Sequence, residues 1–137
     1  MNQRGFATLE VILMVMVIGI LASIAVPRFT NVTTAANTAK VQSDLSVLDT
    51  AAAIYIMENG TPTTNTTLSI TTDLKDYLQD ASSIKPPIGD VYVNDESSKD
   101  TITISKDDNY TVEKQSDGSF RGILKSKTAG SFKKKTS

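Results

Sequence analysis

The chain contains no cysteine and no histidine among its 137 residues. Without cysteine there is no disulfide and no thiolate metal site. Without histidine the commonest general base and metal-binding side chain is missing. A catalyst would have to be built from carboxylates, lysine or serine, and no recognised catalytic spacing of those residues is present. Neither enzymatic activity nor a cofactor is expected. Charge of one sign is also lacking overall: the formal net charge is −1, which implies no general attraction to nucleic acid. There is no internal repeat, and the length is one domain's worth of material.

Charge is scarcest near the N-terminus. From Phe6 to Val26 the only charged side chain is Glu10. A helix over Phe6 to Pro27 would be about 33 Å long, enough to cross the hydrocarbon core of a bilayer. Met1 to Gly5 carries Arg4 alone, a minimal positive side for an orientation with the N-terminus inside. A carboxylate at the centre of such a segment costs about 2.5–3.5 kcal/mol on the insertion scale, so Glu10 calls for compensation. The alternative is a secretory signal cut after Ala25, since Ser23-Ile24-Ala25 passes as a small-residue site. Glu10 would interrupt its hydrophobic region, and Pro27 would lie just beyond the cut. Both count against it.

Gly5-Phe6, Glu10, Gly19 and Pro27, in this order and spacing, resemble the N-terminus of type IV prepilins and the related pseudopilins. The resemblance covers about Gly5 to Phe29. It implies removal of Met1 to Gly5 by a prepilin peptidase, with cleavage between Gly5 and Phe6 and methylation of the new N-terminal Phe6. It further implies that Glu10 pairs with the N-terminal amine of Phe6 in a neighbouring subunit, and that Gly19 to Pro27 can lose helical order inside a filament. The plainer view of Pro27 is a kink at the end of the apolar run, where its ring crowds the Ser23 carbonyl. The family also implies an assembly ATPase and a platform membrane protein as partners. Many members close a C-terminal loop with a disulfide, which this chain cannot do; in that respect it is more similar to Gram-positive pilins and major pseudopilins.

Beyond Arg28 the helix is expected to continue with a different character. Val41, Leu45, Leu48, Ala52 and Tyr55 recur in steps of four, three, four and three, one face of a helix. Asn59-Gly60 with Pro62 beyond it marks the stop. Such a helix, Phe6 to Glu58, would be about 80 Å long, more than a domain of this size can enclose, so its apolar half should project. Thr61 to Thr67 reads as a polar loop. Thr72 to Leu78 reads as a short helix capped by Thr72 or Asp73, with Leu74, Tyr77 and Leu78 inward. Pro86-Pro87 breaks the chain. Strand-like alternation follows at Val91-Tyr92-Val93, Thr101 to Ser105, and Tyr110 with Val112. Asp117-Gly118 is a turn signal leading into Phe120 to Leu124. Three or four antiparallel strands should pack on the Val41–Tyr55 face. The expected class is α+β: leader 1–5, apolar helix 6–27, amphipathic continuation 28–58, α+β head 59–126 and basic tail 127–137, the residues from Ala129 onward being loose.

Two further clusters have functional readings. Asp90, Asp95, Glu96, Asp107 and Asp108 could supply oxygen ligands to calcium, but no complete ligand spacing is visible and acids crowd turns for backbone reasons. No metal site is assigned. Arg121, Lys125, Lys127, Lys133, Lys134 and Lys135 form a basic stretch with no acid after Asp117. It is a candidate contact for DNA or another acidic surface, although terminal lysines are usually solvated and only Phe120 and Phe132 interleave as aromatics. Four Asn-X-Thr sequences, at Asn31, Asn59, Asn65 and Asn109, carry no weight in so threonine-rich a chain. The reading is thus a filament subunit: a homopolymer held in the cytoplasmic membrane before assembly and displayed at the cell surface afterwards. The alternative is the major pseudopilin of a secretion or DNA-uptake apparatus.

Overall fold

The computed structural model describes residues 3–94 and 100–135, the side chains at 3–4 and 26–28 excepted. One helix, α1, runs from Gln3 to Asn59. Its first part is rich in Val and Ile, which are indifferent helix formers in water. Where no water is available, however, a helix satisfies every backbone group within the segment, so an apolar run of this length favours it. At the other end Gly60 adopts φ +79° and donates its N–H to the Ile56 carbonyl at 2.8 Å. That left-handed residue ends the helix, and glycine adopts it without a Cβ clash.

The chain divides into two compact units, one ending at Thr33 and the other starting at Thr34. In the first, every large apolar side chain from Phe6 to Ile24 is 53–65% exposed. In the second, α1 buries a stripe of Thr34, Thr38, Val41, Leu45, Leu48 and Ala52, with Tyr55 packed at its edge. The expected apolar stripe is present and continues two steps further toward the N-terminus on threonines. Thr38 is buried because its hydroxyl is used twice: it donates to the Thr34 carbonyl at 2.6 Å and accepts the Tyr92 N–H at 2.8 Å.

Among the described residues, five short strands make two antiparallel sheets rather than one. Strands β1 (Thr67–Leu68), β4 (Thr111–Lys114) and β5 (Phe120–Ile123) form a three-stranded sheet in the order β1-β4-β5. Strands β2 (Gly89–Tyr92) and β3 (Thr101–Ile104) form a separate pair. The β4–β5 register places Val112 opposite Gly122 and Lys114 opposite Phe120. Asp117-Gly118 is the turn between them, with Gly118 at φ +85° and Asp117 accepting the Ser119 N–H and hydroxyl. β1 begins at the end of the stretch read as a polar loop, so that loop is shorter than expected.

Two further expectations need correction. The segment after Thr72 is a set of turns with a 3-10 helix at Lys75–Tyr77, and no side chain caps it. Asp73 instead accepts the Ser69 N–H at 2.8 Å and ties the turn to the residue after β1. Leu74 and Leu78 are nevertheless buried, as expected. Of the C-terminal residues read as loose, Ala129 to Phe132 are instead ordered into the head. A 3-10 turn at Ala129–Ser131 brings Phe132 fully into the core, and the Ser131 carbonyl accepts the Asn94 N–H at 2.8 Å. A buried aromatic ring supplies enough apolar area to hold a segment that polar composition alone would leave free.

Candidate assembly site

Gly5, Phe6 and Glu10 all lie within α1, which is already helical at Gln3, upstream of the Gly5-Phe6 junction. Phe6 and Glu10 are four residues apart and so share one face, a single turn from each other. Leu13, Met14 and Val17 continue that face below Glu10 at three, four and seven residues. Phe6 is 65% exposed and Glu10 is exposed as well. Toward the C-terminus no basic residue occurs between Glu10 and Arg28.

Gly19 has open space where a Cβ would stand, so no close packing partner accounts for it. Helical assignment continues through Pro27, whose side chain lies outside the described residues. Proline has no N–H to donate to the Ser23 carbonyl. The Ser23 hydroxyl itself bonds back to the Ile20 carbonyl at 2.7 Å, and Thr33 does the same to Phe29 at 2.9 Å. This helix is by length and composition able to cross a membrane.

The six candidate cations are not equivalent. Arg121 lies 3.5 Å from Asp49, whose other oxygen accepts the Gly122 N–H at 2.6 Å. Lys125 bonds Asp108 at 3.0 Å. Lys127 closes a two-residue hairpin with Leu124, in which Lys125 and Ser126 take φ of 50° and 62°. Lys134 sits 5.9 Å over the Tyr92 ring. Lys133, Lys134 and Lys135 are exposed, held at a fixed place by buried Phe132 beside them. A contact with an acidic surface would therefore rest on these three.

The candidate calcium acids are dispersed in role. Asp90 accepts the Thr103 hydroxyl at 2.6 Å across β2 and β3. Asp108 accepts the Ser105 N–H and hydroxyl as well as Lys125; chiefly the Ser105 N–H, then Lys125, hold its carboxyl below the usual range. Asp95 and Glu96 lie outside the described residues. Among the described residues no group of three or more acidic side chains is placed to hold a metal. On the helix side, Asp44 joins Lys40 to the buried Tyr110 hydroxyl at 2.8 Å. Burial first, and that carboxylate second, push the Tyr110 hydroxyl well above its ordinary value.

No protein-family model and no solved structure matches the chain. Curated proteins do. The type IV narrow pilus major component PilA5 of Thermus thermophilus is 39% identical over 64 residues, 46% of this chain and 55% of that protein. The type II secretion system core protein G of Escherichia coli is 39% identical over 65 residues, 47% of this chain and 45% of that protein. A fimbrial protein of Pseudomonas aeruginosa is 39% identical over 56 residues, 41% of this chain and 36% of that protein. Over the matched residues the chain is similar to type IV pilins and to type II secretion pseudopilins. The match spans about half the length of the first two relatives or less.

The head holds contacts that periodicity alone did not reveal. Thr34 and Thr38 extend the buried stripe, and their four- and three-residue steps to Val41 were a usable signal. Asp49, which links the helix to both Arg121 and Gly122, had none: it lies 73 residues from Gly122 in sequence.

Proposed function

We propose that this chain is the structural subunit of a type IV pilus-like filament, with the α1 apolar run as both membrane anchor and filament core. The observation that carries the reading is Glu10: one carboxylate, one turn from Phe6, in an exposed helix whose apolar face is otherwise unbroken. A contiguous apolar surface of this extent marks contact with lipid or with other proteins. Transfer of such helices from lipid into a bundle gains little hydrophobic free energy, so packing and polar pairing must favour assembly. Cleavage after Gly5 would create an amine at Phe6. In a dry bundle an unpaired carboxylate is expensive, and an amine from the next subunit offsets that cost and fixes the stagger.

A prepilin peptidase would make the cut, and a platform membrane protein with an assembly ATPase would supply the work, as the family resemblance implies. The names of the relatives cover both surface pili and a secretion apparatus, so the same subunit chemistry serves either destination. The test is Glu10→Ala. Membrane insertion and cleavage at Gly5 should be retained, because less charge enters the bilayer, while sheared filaments counted by electron microscopy should fall sharply. Filament yield equal to that of the unchanged protein would remove Glu10 from the mechanism.

A further inference from the structure

At the C-terminal end of α1, Asn59 is followed by Gly60, the sequence in which a backbone nitrogen is least hindered from attacking an asparagine side chain. We propose that Asn59-Gly60 is a latent deamidation site, kept as the amide by the hydrogen bonds that Asn59 makes to Tyr55 and Tyr77. In the reaction the Gly60 nitrogen loses its proton to base and bonds to Cγ of Asn59. The Cγ–Nδ2 bond breaks, and Nδ2 leaves as ammonia. Water then opens the cyclic imide to aspartate or to isoaspartate. Water is the only co-reactant, and no electron is transferred.

Both nitrogens in that sequence are engaged in the fold. Nδ2 of Asn59 donates one hydrogen to the Tyr55 carbonyl at 3.1 Å and the other to the Tyr77 hydroxyl at 3.1 Å. The bond to Tyr55 draws the side chain back over the preceding turn, away from Gly60. The Gly60 N–H is itself committed to the Ile56 carbonyl at 2.8 Å. The Tyr77 hydroxyl passes its own hydrogen to Glu58 at 2.7 Å, and its ring stands edge-on to Tyr55 with centroids 5.9 Å apart. The donors thus run in one direction, Asn59 to Tyr77 to Glu58. Both Asn59 and Gly60 are exposed, so water and base reach the site whenever those bonds open.

Deamidation would reverse the logic of this corner. A carboxylate at residue 59 has no hydrogen to donate to either acceptor. It also adds negative charge beside Glu58 at a helix C-terminus, where the macrodipole disfavours it. The isoaspartate product would lengthen the backbone where Gly60 turns.

The full chain in detergent micelles, incubated in mildly alkaline buffer and followed by peptide mass mapping, tests the proposal against a synthetic peptide spanning residues 55–64. The folded chain should deamidate far more slowly than the peptide; equal rates would overturn the proposal. Tyr77→Phe keeps the ring contact but removes one acceptor, and should speed the reaction about three- to tenfold while circular dichroism stays unchanged. An unchanged rate in a folded Tyr77→Phe chain would also overturn it. Should that variant fail to fold, Asn59→Asp reports independently. A lower melting temperature is expected for it, and an unchanged one would show that the amide's bonds hold nothing.

Discussion

Asp49 and Gly122 show how much of this head depends on single atoms facing each other. Asp49 projects from α1 and receives the Gly122 N–H at 2.6 Å, so an outward-facing amide of the edge strand β5 is bonded within the molecule. A free edge amide is a template for unwanted strand pairing, and this one is covered. The approach is close because residue 122 has no side chain. A Cβ there would stand 3.1 Å from the Leu48 Cβ and 3.2 Å from both the Leu45 carbonyl oxygen and its Cδ2. Two of those three atoms are fixed to the helix backbone and cannot swing aside. Gly122→Ala should therefore destabilise the head by about 1–3 kcal/mol, as overpacking does. Chemical denaturation of the detergent-solubilised protein measures it, and a stability equal to that of the unchanged chain would mean that β5 moves away from α1 freely.

Among the elements, those written in a regular period were legible and those closed by distant contacts were not. The helix over its whole length, its stop at Asn59-Gly60, and the four longer strands follow from local pattern and turn chemistry. β1 is two residues long and pairs with β4 through Leu68 opposite Val112, a register that no alternation within so short a stretch announces. The division into two sheets likewise depends on pairings, not on propensities. At the candidate site, the placing of Phe6 and Glu10 one turn apart on a single helix follows from local spacing, whereas the pairing of Asp49 with Arg121 and of Asp108 with Lys125 does not. The C-terminal segment is the clearest case. Its lysines read as a solvated tail, yet Phe132 is fully buried and anchors the turn at Ala129–Ser131. Phe132→Ala should cost about 3–5 kcal/mol, the range for a core aromatic, and free the lysines that follow it. Limited proteolysis should then cut after Lys127 or Lys133 well before the rest of the head. Unchanged protection would place Phe132 outside the cooperative core.

Over the whole molecule, the apolar residues fall into two populations with opposite fates. Every member of the buried core cluster, from Val41 to Phe132, belongs to the unit that starts at Thr34. The large apolar residues between Phe6 and Ile24 are exposed without exception. Equal hydrophobicity therefore has two settings: one set is removed from water by folding, and the other, under the function proposed above, by lipid or by neighbouring subunits. The head contains no disulfide, so its stability comes from that core and from ties such as Thr38 to Tyr92 and Tyr110 to Asp44. If the division is correct, a chain shortened to begin at Phe29 keeps every core residue and loses only the surface that water disfavours. It should be soluble and monomeric without detergent. Its thermal unfolding should be a single transition, indifferent to reducing agent and close in midpoint to that of the head in the full-length protein. Ultracentrifugation and differential scanning calorimetry supply both readings. Aggregation of the shortened chain, or a midpoint lowered by many degrees, would show that residues before Phe29 hold the head together.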